Sequence, residues 1–269
     1  MEKTLKNKAN LLFVVLSAVF ITNAIVAEFI GVKIFSLEKT LGITPFSFNL
    51  FGQSGLSFQL TAGVLLWPVI FILTDVINEY YGKKGVIRLS YLAVGMIAYA
   101  FLMIYVAIHL VPADFWIQAH LEYAKDSAER ATLGAEVSNY NTAYALVFGQ
   151  GLRIIIASLV AFLVAQVLDA TLFKYIRSWT GDKRIWLRAT GSTVVSQLFD
   201  SYIVLFIAFY FGANWPLKTV LAIGTVNYIY KLFMAIVLTP LLYLLHFFIR
   251  NYLGDELSHK LKTEALSHK

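Results

Sequence analysis

The sequence predicts an all-α integral membrane protein, a bundle of six transmembrane helices with both termini in the cytoplasm. Three observations carry this. Of 269 residues, 59% are hydrophobic and 14% charged, with a mean hydropathy of +0.70; a soluble domain carries about 25% charged residues. The apolar residues are gathered into runs of about 20, the length needed to cross a hydrocarbon core of about 30 Å. Lys and Arg are also divided unequally between the links, which sets orientation. Fifteen lie at the termini and in the second-to-third and fourth-to-fifth links, among them Lys83, Lys84, Arg177 and Arg188. Five (Lys33, Lys39, Lys125, Arg130 and Lys218) lie on the opposite side.

The six spans are read at about 10–31, 58–80, 88–111, 152–174, 189–211 and 219–248. Together they make one domain, 1–250, followed by a polar cytoplasmic tail, 251–269, expected to fray. The first run is too long for the apolar part of a signal peptide and no A-x-A-like site with a polar stretch follows it, so it reads as a retained helix. Segment 32–57 alternates around "KIFSL" and "FSFNLF", with Gly and Pro between, which suggests a short external hairpin between helices 1 and 2. A re-entrant segment is the competing reading. In helix 2, Pro68 is expected to kink the span. The acidic stretch 112–151 reads as a solvated external cap with a helical turn or two. Trp116, Trp179, Trp186 and Trp215 fall at or beyond helix ends, where aromatic belts lie; Trp67 falls mid-span.

Several classes are excluded. With no cysteine there is no disulfide framework and no thiolate chemistry. No G-x-x-x-x-G-K-[ST], H-E-x-x-H or G-x-S-x-G occurs. The five histidines do not cluster with metal-ligand spacing, so no metal and no cofactor is expected. The net charge of +6 is mostly the orientation bias, which leaves little for a nucleic-acid partner.

What remains is a set of ionisable groups at membrane depth, each costing several kcal/mol and usually facing a cavity or a partner. They are Glu28, Asp75, Glu79, Asp169, Asp200 and Lys231, joined by Asn23, Asn78, Gln166, Gln197 and Asn227. Helix 4 steps by fours through Ala157, Ala161, Ala165 and Asp169; helix 5 steps through Ser192, Ser196 and Asp200. Each Asp follows a Gln by three residues, so each helix has a tight-packing stripe bearing an amide and a carboxylate. The stripes pack within one chain or between two, which leaves a homodimer open.

Helix 2 ends in "FILTDVINEYYGKKG", with Asp75 and Glu79 one turn apart at the negative pole of the helix dipole. Glu79 has Lys83 four residues on and reads equally as an interfacial pair. Asp200 and Lys231 read alternatively as a structural salt bridge, and Glu28 as interfacial. Asp75 and Asp169 have no cation on their own helices; Arg188 is nearest by depth. The acids by themselves allow a transporter, an intramembrane carboxylate enzyme or a scaffold.

"TDVINEYYGKK", "RIIIASLVAFLVAQVLD" and "WLRATGSTVVSQLFDS" together resemble the queuosine precursor transporter family of bacterial inner-membrane proteins. The likeness runs from about Trp67 to Pro240, with the acidic loop as an insertion. It implies a six-helix importer of 7-deazaguanine bases, 7-cyano- or 7-aminomethyl-7-deazaguanine, in the cytoplasmic membrane. It implies more loosely a likeness to the substrate-binding subunits of ATPase-driven vitamin importers, so an ATPase partner stays open. Such a base presents an N–H and an amine side by side, which one carboxylate can accept; amides can answer the ring carbonyl, and a second carboxylate an aminomethyl ammonium. The expected substrate-binding set is Asp75, Asn78, Glu79, Gln166, Asp169, Gln197 and Asp200, with Arg188 and Lys231 as charge partners and no catalytic residue.

Overall fold

The computed structural model describes residues 2–122, 124–136, 140–149, 151–181 and 184–267. They form eleven helices: α1 (Glu2–Ile30), α2 (Leu37–Thr40), α3 (Trp67–Ile108), α4 (Trp116–Leu121), α5 (Ser127–Glu136), α6 (Tyr140–Phe148), α7 (Leu152–Thr180), α8 (Ile185–Leu205), α9 (Leu217–Val237), α10 (Thr239–Leu253) and α11 (Asp255–Ser267). The fold is therefore that of an all-α membrane protein. Five helical runs among the described residues are long and apolar enough to cross a bilayer. The chain divides into two compact units, Met1–Ile97 with Leu152–Lys269, and Ala98–Gly151. The second unit holds the end of α3 and helices α4 to α6, more helix than the turn or two expected of the acidic loop. Within it Trp116 packs edge-on to Tyr144.

The link between α1 and α3 holds four short strands: β1 (Ile34–Ser36), β2 (Phe48–Leu50), β3 (Gln53–Leu56) and β4 (Gln59–Thr61). β2 and β3 form an antiparallel hairpin, and β1 pairs antiparallel with β4, with Phe35 opposite Leu60. Glu38 pins this small structure, accepting from the Phe58 backbone N–H at 2.8 Å and from the Ser36 hydroxyl at 3.1 Å.

Residues 58–66, expected to open the second span, are β4 and a 3₁₀ turn, Ala62–Leu65. Pro68 thus lies in the first turn of α3 and does not kink a span. At that position its missing N–H has no helical acceptor to lose. The expected polar link between helices 2 and 3 is also absent: α3 runs through it, broken at Gly82 alone (φ 72°, ψ 176°). That conformation is open to glycine and strained for other residues. The chain turns sharply there. A Cβ on Gly85 would lie 3.0 Å from Tyr81 Cβ and 3.9 Å from Ile77 Cγ2, whereas eight residues of straight helix span about 12 Å. α3 therefore has two arms, one either side of Gly82.

The helices of the first unit pack through the small-residue stripes. Ala157, Ala161 and Ala165 of α7 are buried, as are Ser192 and Ser196 of α8, and the two helices run side by side along their length. The stripes thus serve packing inside one chain. Phe20 of α1 and Trp67 of α3 both reach Phe162 of α7, with ring centroids 6.2 and 5.7 Å apart. The expected last span is split. α9 ends at Val237 and α10 begins with Pro240 in its first turn, where proline is tolerated. The tail expected to fray is the helix α11, with Leu257, Ser258 and Ala265 buried. Its carboxylates Asp255 and Glu256 occupy the first turn, where the dipole favours them.

Replacing Gly82 by Ala should lower the thermal unfolding temperature in detergent. The backbone strain costs about 1–3 kcal/mol, and the new Cβ would stand 2.9 Å from the Ala265 carbonyl oxygen of α11. Gly95, whose Cβ position has nothing within 4 Å, should accept Ala without loss.

Candidate functional site

The first arm of α3 carries Trp67, Phe71, Asp75 and Glu79 at steps of four, which places them along one face. The residues beside them bind the arm to α7. The Thr74 hydroxyl donates to Gln166 Oε1 at 3.0 Å, and Asn78 Nδ2 donates to the Ala170 carbonyl at 3.1 Å. Two of the expected ligand residues, Gln166 and Asn78, are therefore engaged between helices.

Glu79 is fully buried. Arg188 Nη2 lies 2.8 Å from Oε1, Lys262 Nζ 3.4 Å from the same oxygen, and Arg177 Nη1 3.4 Å from Oε2. Lys83, the partner expected from the helix spacing, is not among them. Arg177 also donates to the Glu79 backbone carbonyl at 2.9 Å and to the Lys262 carbonyl at 3.0 Å. One carboxylate of α3 thus gathers cations from α7, α8 and α11. Arg188, expected near Asp75 and Asp169, is drawn chiefly to Glu79. It also donates to the Gly181 carbonyl at 2.6 Å and lies over the Phe173 ring.

Asp169 faces α8. Its Oδ1 accepts from Ser196 at 3.1 Å and from Thr193 at 3.4 Å. Asp200 pairs with Lys231 of α9. Glu28 is buried and accepts from Ser158 of α7 at 2.6 Å. Gln197 is buried, and its Oε1 has no hydrogen-bond partner.

Asp75 differs from the other acids. It is buried, its Oδ1 has no hydrogen-bond partner, and it lines a cavity between the first arm of α3, α8, α9 and the start of α10. Trp67, Phe71, Thr193, Tyr230 and Lys231 share the wall. Trp67 and Phe71 are nearly parallel, at 21° with centroids 6.3 Å apart. The empty space is about 550 Å³ with its open side included, of which about 40 Å³ admits the centres of water molecules. It is a narrow slot that holds a few waters. Thr193 connects it to Asp169 behind the wall, and Lys231 connects it to Asp200. Of the seven expected ligand residues Asp75 lines the cavity, and of the two expected charge partners Lys231 does.

Several residues here were not singled out from sequence. The α7 stripe, continued by fours past Asp169, reaches Phe173 and Arg177. Trp67 and Phe71 lie one and two turns before Asp75, on its face. Lys262 carried no such signal, because its helix gains a partner only in the fold.

A family model described as "Putative vitamin uptake transporter" matches residues 61–245. A "Probable queuosine precursor transporter" of Bacillus subtilis (strain 168) is 30% identical over 184 residues, 68% of this chain and 70% of that protein. The chain belongs to the queuosine precursor transporter family. A "Probable queuosine precursor transporter" of Haemophilus influenzae is 25% identical over 202 residues, covering 75% of this chain and 72% of that one. A "Queuosine precursor transporter" of Escherichia coli (strain K12) is 26% identical over 188 residues, covering 68% and 70%. No solved structure matches. Membership of a queuosine precursor transporter family makes this a multi-pass membrane transporter, in bacteria one of the inner membrane, and not an enzyme. The matched region contains every wall residue of the cavity.

Glu79→Gln should destabilise the protein by about 3–5 kcal/mol, because it leaves buried guanidinium groups without their counter-charge. Thermal unfolding in detergent measures this. Lys262→Ala, which removes a cation that is 23% exposed, should cost far less.

Proposed function

We propose that the chain imports the 7-deazaguanine precursors of queuosine, 7-cyano- or 7-aminomethyl-7-deazaguanine, into the bacterial cytoplasm. The observation that carries this is the buried Asp75 Oδ1 without a partner, on the wall of a cavity flanked by the Trp67–Phe71 aromatic pair. An unpaired buried acceptor is costly unless a ligand satisfies it. A deazaguanine edge offers the adjacent donors a carboxylate accepts, and its flat ring suits an aromatic wall. The names of the relatives point to a queuosine precursor. Asp169, bonded to the wall residue Thr193, and the buried Gln197 are the groups that meet the base if the slot widens. Asn78, Glu79, Gln166 and Asp200 hold helices in place.

In this reading the membrane is crossed six times, by α1, the two arms of α3, α7, α8 and α9, with both termini cytoplasmic. The turn at Gly82 and the excess of Lys and Arg on that side support it. The slot admits a few waters, so a base enters by displacing the α9–α10 corner, where the helix is already broken at Leu238–Pro240.

In cells unable to make queuosine, expression of the chain should restore queuosine in tRNA when either labelled precursor is supplied. Asp75→Asn, at equal membrane expression, should lower initial uptake by at least about tenfold, since a hydrogen bond to a charged group is worth about 1.5–3 kcal/mol. Wild-type uptake by this variant would remove Asp75 from the site. The same uptake by the purified chain in proteoliposomes separates a self-sufficient carrier from a subunit that needs an ATPase.

A further inference from the structure

A second cavity lies apart from Asp75, between α1 and the start of the second arm of α3. Its empty space is about 1150 Å³ with its open side included, of which about 500 Å³ admits the centres of water molecules, and Asn10, Phe13, Ser17, Lys84, Arg88 and Leu92 line it. Its charge is one-sided. Lys84 and Arg88, one turn apart on α3, form no ion pair among the described residues, and no carboxylate stands in the wall. Its depth is set by α1, whose apolar span begins at Asn7. Asn10 to Ser17 then lie about 5–15 Å into that span, from the head-group zone into the acyl chains. Ser17 lies at the deeper end, and its hydroxyl oxygen is buried with no hydrogen-bond partner.

We propose that this groove binds the head group of an anionic phospholipid. Phosphate sits between Lys84 and Arg88, the Ser17 hydroxyl donates to a glycerol or ester oxygen, and an acyl chain lies along Phe13 and Leu92. A basic pocket between transmembrane helices, on the side where Lys and Arg accumulate, suits such a lipid. The apolar floor favours it over a soluble anion, which would leave Phe13 and Leu92 in water. Lys83 is the internal contrast: it shares the positive link but does not line the groove. A lipid here would brace α1 against the Gly82 turn, since the Phe13 and Tyr81 rings meet at a tilt with centroids 4.8 Å apart and the Tyr81 hydroxyl donates to the Ala9 carbonyl at 2.7 Å.

The purified protein, extracted in mild detergent and mixed with phosphatidylglycerol or phosphatidylcholine, can be weighed with its bound lipid by native mass spectrometry. The proposal expects at least about tenfold more retained phosphatidylglycerol. Lys84→Gln with Arg88→Gln should abolish that preference, and so should Ser17→Phe, which fills the groove and keeps both charges. Lys83→Gln should leave it intact, and inorganic phosphate should not displace the lipid. Equal retention of the two lipids overturns the proposal, as does a preference that survives the double substitution or Ser17→Phe. An equal loss in Lys83→Gln would show a bulk charge effect, and displacement by phosphate a soluble-anion site; either overturns it. None of these readings depends on transport.

Discussion

The structure depends on the burial of one carboxylate. Glu79 stands at the end of the first arm of α3, fully removed from solvent. A lone ion there would cost several kcal/mol. It is held because Arg177, Arg188 and Lys262 arrive from three other helices. That requirement sets much of the surrounding geometry. α7 and α8 must run close enough for both guanidinium groups to reach α3, and their alanine and serine stripes permit it. α11 must dock against the Gly82 turn, where a side chain on residue 82 would meet the Ala265 carbonyl. The removal of Glu79 would leave a set of like charges facing one another, so the cluster depends on this one carboxylate.

With Glu79 satisfied, the other acids sort by what they lack. Asp169 has the Ser196 and Thr193 hydroxyls, Asp200 has Lys231, and Glu28 has Ser158. Each holds one helix to another, and in hydrocarbon such bonds between helices substitute for the absent hydrophobic drive. Asp75 keeps an oxygen without a partner and lies on a cavity wall. It is one helical turn from Glu79, so the ion cluster also fixes its position. In the proposed function, the acid that meets the base thus lies one turn from a buried, ion-paired helix end.

Much of this was legible in the sequence because membranes impose strong patterns. Long apolar runs, the Lys and Arg asymmetry and the costly acids all follow from the solvent, and the four-residue stripes follow from helical periodicity. The family resemblance rested on the same segments, and the comparisons confirm it. The misreadings share a cause: each turned on a tertiary contact or a single backbone angle. "YGKKG" reads as a polar loop, yet one glycine suffices to turn the chain and its lysines stay helical. Pro68 reads as a kink within a long apolar run until the preceding residues pair as a strand. The tail is polar in composition, and the Gly82 turn and the Glu79 cluster that α11 docks against exist only in the fold. Glu79 was paired by sequence with Lys83 because helical spacing shows only near neighbours. Its true partners lie 98, 109 and 183 positions away in the chain.

In the proposed function labour is divided: Glu79 holds the fold, and Asp75 holds the ligand. Thermal unfolding of the purified protein, with and without 7-cyano-7-deazaguanine, tests it in one measurement on three proteins. The wild type should be stabilised by the base. Asp75→Asn should unfold at or above the wild-type temperature in the absence of base, because an unpaired buried acceptor has been neutralised, and should gain nothing when base is added. Glu79→Gln should unfold well below the wild type. Base-dependent stabilisation of Asp75→Asn equal to that of the wild type, or wild-type stability in Glu79→Gln, would contradict the account.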